Sequence, residues 1–317
     1  MLVAPPVAAH APGLLALCER IALAAVPRTP RRTRTIATWN IRELGRRRRR
    51  PESLVYIAEV IRAFDLVSIV ELHEDLTELR AILRLLGPTW AALYSAPVFD
   101  PGGNRERSAF VLDTRRVRHT GLASGVQAPR KKEGPEYLSK IDWWRRPYVA
   151  SFSIGPVGRE VELLLVTAHI RWGDNATSRI PELTLFADWI ALEVAKDPDA
   201  KGRELIALGD FNVPRLDSPL YAALTRRGLT MPEALAGVHG SNLKMNKRYD
   251  QLLHGSGSRT RFTGRGGTLD FYTGGIGALY SPSVDKEEFT YELSDHLPLW
   301  AELALRDVGP SERRVIP

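Results

Sequence analysis

Short apolar runs alternate along this chain with longer stretches of helical periodicity. The runs predict strands at about 35–40, 66–71, 108–113, 148–154, 161–168, 205–210, 249–253 and 299–305. Between them, SLVYIAEVIRAF (53–64) sets Leu54, Ile57, Ala58, Ile61 and Phe64 at helical spacing. DLTELRAILRLLG does the same with Leu76, Leu79, Leu83 and Leu86, and Gly87 stops it. PELTLFADWIALEVAKD predicts a third helix, with Pro181 in its first turn. Stripes of this kind are core faces, so the pattern demands sheets covered by helices, an α/β fold. The Gly-rich segment 263–280 predicts a long loop with a short strand. It lacks GxxxxGK[ST] and so predicts no phosphate-cradling loop. Residues 1–34 are rich in Pro and Ala, and GLLALCERIALAA within them predicts one amphipathic helix.

Polar residues recur where these runs end. LIALGDFN carries Asp210 and Asn212 just past a strand, with Gly209 to turn the backbone. SDHLPLW sets Asp295 beside His296, a carboxylate and an imidazole suited to handling protons. Four more cases follow: Asn40 closing TIATWN, Glu71 in DLVSIVEL, His169 in LLLVTAHI and Asp250 opening DQLL. Each has a plain structural reading. Asn40 and Asp210 fit turns, Glu71 a helix cap, His169 a satisfied core histidine and Asp250 a charge at a strand edge. Six coincidences of one kind argue for a shared site.

In this order, WN, a strand-borne Glu, TAHI, GDFN, YDQ and SDHLPLW resemble the endonuclease/exonuclease/phosphatase superfamily over roughly residues 35 to 305. GNRERSAFVLDTRRV and WWRRPYVASF further resemble its deoxyribonuclease-I-like branch. There a Glu at the position of Glu106 pairs with the first catalytic His, and the Arg matching Arg145 binds substrate. The resemblance implies a four-layer α/β sandwich, two packed β-sheets flanked by helices. It also implies two dyads, Glu106 with His169 and Asp250 with His296, flanking the scissile phosphate, while Asn212 and Arg145 hold its non-bridging oxygens. One position departs: the residue before Glu71, often Gln in the family, is Val70.

The chemistry of cleaving a phosphodiester asks for the same residue types. A hard divalent cation wants carboxylate and amide oxygens, which suits Glu71 and Asp295 with Asn40 and Asp210. Mg²⁺ is expected there, with Mn²⁺ as a substitute. Asp210 and Asn212 are also expected to take part in catalysis, and Asn40 to touch substrate. His169 and His296 divide the acid and base roles once each is oriented by a carboxylate. Which imidazole is acid and which is base stays open.

Composition then narrows the class. With 44% hydrophobic residues among 317, the chain has ample apolar material for one core. Its one cysteine, Cys18, excludes an internal disulfide framework. No window approaches the roughly 18 apolar residues of a membrane span. A secretory signal wants basic residues ahead of its apolar region, and Met1 to His10 contains none, so a cytoplasmic protein is expected. The expected organisation is an arm or helix at 1–34, one catalytic domain at 35–307 and a tail at 308–317, acting as a monomer. Net charge is +7, and the five arginines at 46–50 follow the Asn40 strand. At the rim of a site they would attract a polyanion, and as solvated surface they would do nothing. Trp143, Trp144 and Trp172 offer stacking surfaces or core packing. The function expected is a metal-dependent phosphodiesterase, foremost a DNA endonuclease of low sequence specificity. Alternatives are a phosphoesterase of lipid headgroups or other small phosphodiesters, the lipid case being favoured by an exposed apolar hairpin near the site, and a non-catalytic nucleic-acid-binding module. The sequence makes no such hairpin evident.

Overall fold

The computed structural model describes residues 11–27, 32–99, 104–139, 141–173, 175–192, 202–255, 261–280 and 284–305. Its first sheet holds β1 (Thr33–Leu44), β2 (Leu66–Leu72), β3 (Trp90–Tyr94), β4 (Arg107–Asp113), β12 (Phe262–Thr268) and β13 (Leu299–Ala304), in the order β12-β13-β1-β2-β4-β3. The second holds β5 (Val117–Gly125), β8 (Tyr148–Ile154), β9 (Val161–His169), β10 (Glu204–Asp210) and β11 (Asp250–His254), in the order β11-β10-β9-β8-β5. Helices α1 (Ala11–Leu23), α2 (Pro51–Arg62), α3 (Thr77–Leu86) and α6 (Lys286–Glu292) lie with the first sheet, and α4 (Ile180–Leu192) and α5 (Pro219–Thr225) with the second. The four expected layers are present.

Alternation of side chains along each strand assigns the layers. Ile36, Leu66, Phe110 and Leu112 of one sheet meet Phe152, Leu163, Leu165, Ile206, Leu208 and Leu252 of the other in a core between the sheets. Their neighbours in sequence turn outward. Ala37, Trp39, Val67 and Ile69 pack under helices on one side, and Leu164, Val166, Ala207 and Leu253 on the other. A buried contact of 2.6 Å from Ser68 Oγ to Thr167 Oγ1 ties the two inner faces.

Strands absent from the sequence reading lie at exposed margins. β5 is an edge strand with most of its side chains partly or fully exposed, and β3 is an edge strand with only Trp90 buried, so neither needed an apolar run. The hairpin of β6 (Lys131–Glu133) and β7 (Glu136–Leu138) is exposed throughout. The Gly-rich segment supplies β12, where a Cβ on Gly266 would lie 2.8 Å from Trp300 O. Of the expected third helix, residues 193–197 lie outside the described residues, as does the tail at 308–317. α1 buries Leu17 and Ile21 in the helix-side core, and Arg20 reaches across to Gly275 O at 3.0 Å.

The arginine run does not behave as one basic loop. Arg49 is buried, with Nη1 2.9 Å from Glu78 Oε2, and Glu78 also accepts from the backbone N–H groups of Arg49 and Gly45. Arg50 pairs with Glu288 and Glu292 near α6. Arg46 pairs with Glu43, and Arg47 stacks on Tyr291 with its Cζ 3.3 Å from the ring centroid. Two of the five thus serve the fold, because α3 and α6 present carboxylates that the bare run of letters does not reveal.

Candidate active site

The face that packs between the sheets carries the chemistry at one end. On β9, Leu163 and Leu165 point into the inter-sheet core, and two further steps of two bring His169 to the same face. Ile206 and Leu208 lead likewise to Asp210, Leu252 back to Asp250, Phe110 back to Glu106 and Ile36 forward to Asn40. Glu71 has the parity of Val67 and Ile69, which face the helices. A φ of +60° takes it out of alternation, a costly conformation for a residue other than glycine. Gly209 has φ +142°, and a Cβ there would lie 2.0 Å from Ala168 O, so only glycine lets β10 approach β9 just before Asp210.

Asp210 stands at the centre. Its Oδ2 accepts from Asn40 Nδ2 at 3.1 Å and lies 3.9 Å from His169 Nε2 and 3.8 Å from His296 Nε2. Its Oδ1 accepts from Asn212 N–H at 2.9 Å, while Asn212 Nδ2 donates to Ile170 O. His169 Nδ1 lies 2.8 Å from Glu106 Oε2, and His296 Nδ1 lies 2.6 Å from Asp250 Oδ2. Both expected dyads are therefore in place. Each His keeps its Nε2 turned toward Asp210. Arg145 pairs with Glu106, Nη2 to Oε1 at 2.8 Å and Nε 2.7 Å from Oε2, so much of its fork is already occupied.

Charge sets the protonation of these groups. Burial alone would raise the Glu106 carboxyl, but His169 and Arg145 outweigh it and hold the pKa at about 2. Burial and Arg145 would lower the His169 imidazole, yet Glu106 and Asp210 win and raise it. His296 is raised well above the ordinary value, because the carboxylates of Asp250 and Asp210 overcome its burial. Asp295 is raised by burial and by the like charge of Glu71.

The oxygen-rich side suits a hard cation. Asn40 donates its amide N–H groups to Glu71 Oε1 at 2.8 Å and to Asp210, which leaves Oδ1 buried with no partner among the described residues. An orphaned acceptor among Glu71, Asp210 and Asp295 lacks a positive group. Asp210, Asp250 and His296 also bring one ligand atom each within 4.8 Å of one another. The side with Asn40 and Glu71 has in addition the unpartnered buried oxygen, Asn40 Oδ1.

The family model for the endonuclease/exonuclease/phosphatase family matches residues 37–296. The chain belongs to that family. Members of the family are hydrolytic phosphoesterases. Among solved structures, an endonuclease/exonuclease/phosphatase family protein from Bacteroides thetaiotaomicron aligns at a TM-score of 0.59 and 19% identity, covering 86% of this chain and 98% of its own. D. rerio TDP2 complexed with a single-strand DNA product gives 0.56 and 16%, covering 86% and 98%. A mannosyl-6-phosphatase of the same Bacteroides species gives 0.55 and 18%, covering 85% and 98%. Identities this low show the shared fold. No curated protein sequence matches the chain.

Within this family member, several supporting residues escaped the sequence reading. Asn104, at φ +52°, donates to Glu106 Oε1 at 3.0 Å. Ser294 Oγ donates to Asn40 O at 2.6 Å and accepts from His296 N–H at 2.9 Å, tying β1 to the second dyad. Its place beside Asp295 and His296 in SDHLPLW was the available signal. Ser241 Oγ accepts from Asp250 N–H at 3.1 Å, and nothing in its local sequence marks it. Of the three tryptophans, Trp143 is buried in the core under α4. Trp144 and Trp172 are exposed, with Arg171 over the first and Arg179 over the second.

Proposed function

We propose that this protein is a divalent-metal-dependent phosphodiesterase acting on nucleic acid, foremost a DNA endonuclease of low sequence specificity. The observation that carries the reading is the pair of carboxylate–imidazole dyads whose free Nε2 atoms converge on Asp210 Oδ2. A phosphodiester seated between them meets a group able to deprotonate water and another able to protonate the leaving oxygen. Glu106 and Asp250 hold the imidazoles in one tautomer. Asn212 and the remaining donors of Arg145 are suited to the non-bridging oxygens. Glu71, Asn40, Asp295 and Asp210 would hold Mg²⁺ or Mn²⁺, which supplies Lewis-acid stabilisation of the developing charge. Positive net charge, exposed Arg47 and Arg48, and exposed Trp144 and Trp172 support a polyanion with stackable bases.

A second reading, a phosphoesterase of lipid headgroups, is favoured by the β6–β7 hairpin. It exposes Tyr137 and Leu138, and the segment after it exposes Ile141 and Trp144 before reaching Arg145. Incubation with supercoiled plasmid, linear DNA, RNA and a phosphocholine lipid, each with Mg²⁺, Mn²⁺ or EDTA, separates the two. Metal-dependent nicking of plasmid supports the first reading. Turnover of the lipid alone replaces it with the second.

A further inference from the structure

Arg145 reaches the first dyad from a stretch that no sheet holds in place. Residues 142–147 lie between β7 and β8 and belong to neither strand. They are anchored by the Trp143 ring in the core under α4, by Pro147 O, which accepts from Val126 N–H at 2.7 Å, and by Trp144 N–H, which donates to Glu182 Oε1 at 2.9 Å. The last of these bonds is made by the residue next to Arg145. Glu182 lies in the first turn of α4 and is only 3% exposed. Its other oxygen, Oε2, accepts from Arg171 N–H at 3.3 Å, two residues past His169. One carboxylate thus bridges the stretch that carries Arg145 and the strand end that carries His169. α4 is a firm base for it, because Leu183 and Phe186 are fully buried in the core. Just before, Arg179 donates to Asn212 O, so the same helix start also holds the Asn212 loop. A buried carboxylate is costly, and an apolar residue of similar volume would serve packing as well or better. Arg171 Nε stands 4.0 Å away, too far for a hydrogen bond. Both oxygens are given instead to backbone N–H groups of segments that lead into the site. Burial raises the Glu182 carboxyl, and the two N–H groups with Arg171 and Arg145 restrain the rise.

We propose that Glu182 is a positioning residue for phosphodiester cleavage: by bridging Trp144 N–H and Arg171 N–H it sets the Arg145 guanidinium against Glu106 and His169. The proposal rests on the phosphodiesterase reading above. Glu182 touches no reacting atom and acts through Arg145.

A double-mutant cycle tests it, with Glu182→Leu and Glu182→Gln each made in the wild type and in Arg145→Ala. kcat/KM is measured on bis(p-nitrophenyl) phosphate with Mg²⁺, and circular dichroism establishes that each variant is folded. In the wild-type background Glu182→Leu should lower kcat/KM by about 10²-fold, the effect of displacing a catalytic group by about 1 Å. Glu182→Gln keeps one oxygen acceptor and should lose about three- to tenfold. Without Arg145 nothing is left to align, and both substitutions should cost less than about twofold. Glu182→Gln carries the cycle where Glu182→Leu does not fold. Equal losses in the two backgrounds would make Glu182 a support of the fold alone and overturn the proposal, as would no loss in either. NMR gives a readout that needs no turnover: Glu182→Gln should shift the Trp144 and Arg171 backbone amides and the Arg145 Nε–H signal. Those shifts in a protein that cleaves no diester would keep the bridge and remove the functional reading. An unmoved Arg145 signal would overturn the positioning role whatever the activity.

Discussion

At the scale of single residues, Glu106 shows how the site depends on pairing. Its carboxyl has a pKa depressed from 4.5 to about 2. A group depressed on folding adds stability that is present above its unfolded value and lost as pH falls through the folded one. The shift corresponds to about 3 kcal/mol, lost between about pH 4.5 and 2. Urea titrations should show the midpoint falling across that window, and Glu106→Gln should flatten the fall; an unchanged slope would contradict the pairing. His296 shifts the opposite way, so the stability it adds is lost as pH climbs through its raised value. NMR should find its ring still protonated in the metal-free protein at pH 7. These directions were not legible in the sequence. It offered Glu106 and His169 as letters 63 positions apart, and only the strand ends bring Oε2 and Nδ1 to 2.8 Å.

Elements decide which letters become chemistry. Strands buried on both faces, such as β9 and β10, announced themselves as apolar runs, and the polar residues that ended them, His169 and Asp210, are brought to 3.9 Å of each other. Edge strands β3 and β5 gave no such signal, because their exposed faces do not require apolar residues. Glu71 was found at a strand end, but its left-handed backbone was not, since no local signal separates φ +60° from extended backbone in a glutamate. The Arg46–Arg50 run read either as a site rim or as solvated surface, and the burial of Arg49 was not legible, because Glu78 of α3 lies beyond any local pattern. Arg49→Ala should leave the Glu78 carboxylate buried without its partner and cost about 3–5 kcal/mol in urea unfolding, whereas Arg48→Ala should cost nothing. Equal effects would return the run to solvated surface. Gly209→Ala should cost more than about 2 kcal/mol, because the new Cβ meets the β9 backbone. A thermal midpoint like that of the wild type would refute the close approach.

For the whole molecule, two sheets share one inner face, and that face is dry where it folds the chain and polar where it ends. No helix among the described residues is long and apolar enough to cross a membrane. If nucleic acid is the partner, binding should weaken with salt, and Arg47→Ala should reduce the slope of log K against log salt by about 1. An unchanged slope would remove Arg47, stacked on Tyr291, from the contact surface. The central claim is the joint action of the two dyads, and a small generic diester tests it without regard to the natural substrate. Hydrolysis of bis(p-nitrophenyl) phosphate should require Mg²⁺ or Mn²⁺ in the wild type. It should fall by about 10²–10⁴ in His169→Ala and in His296→Ala, each shown folded by circular dichroism. Turnover that survives EDTA, or either variant working at the wild-type rate, would contradict the account.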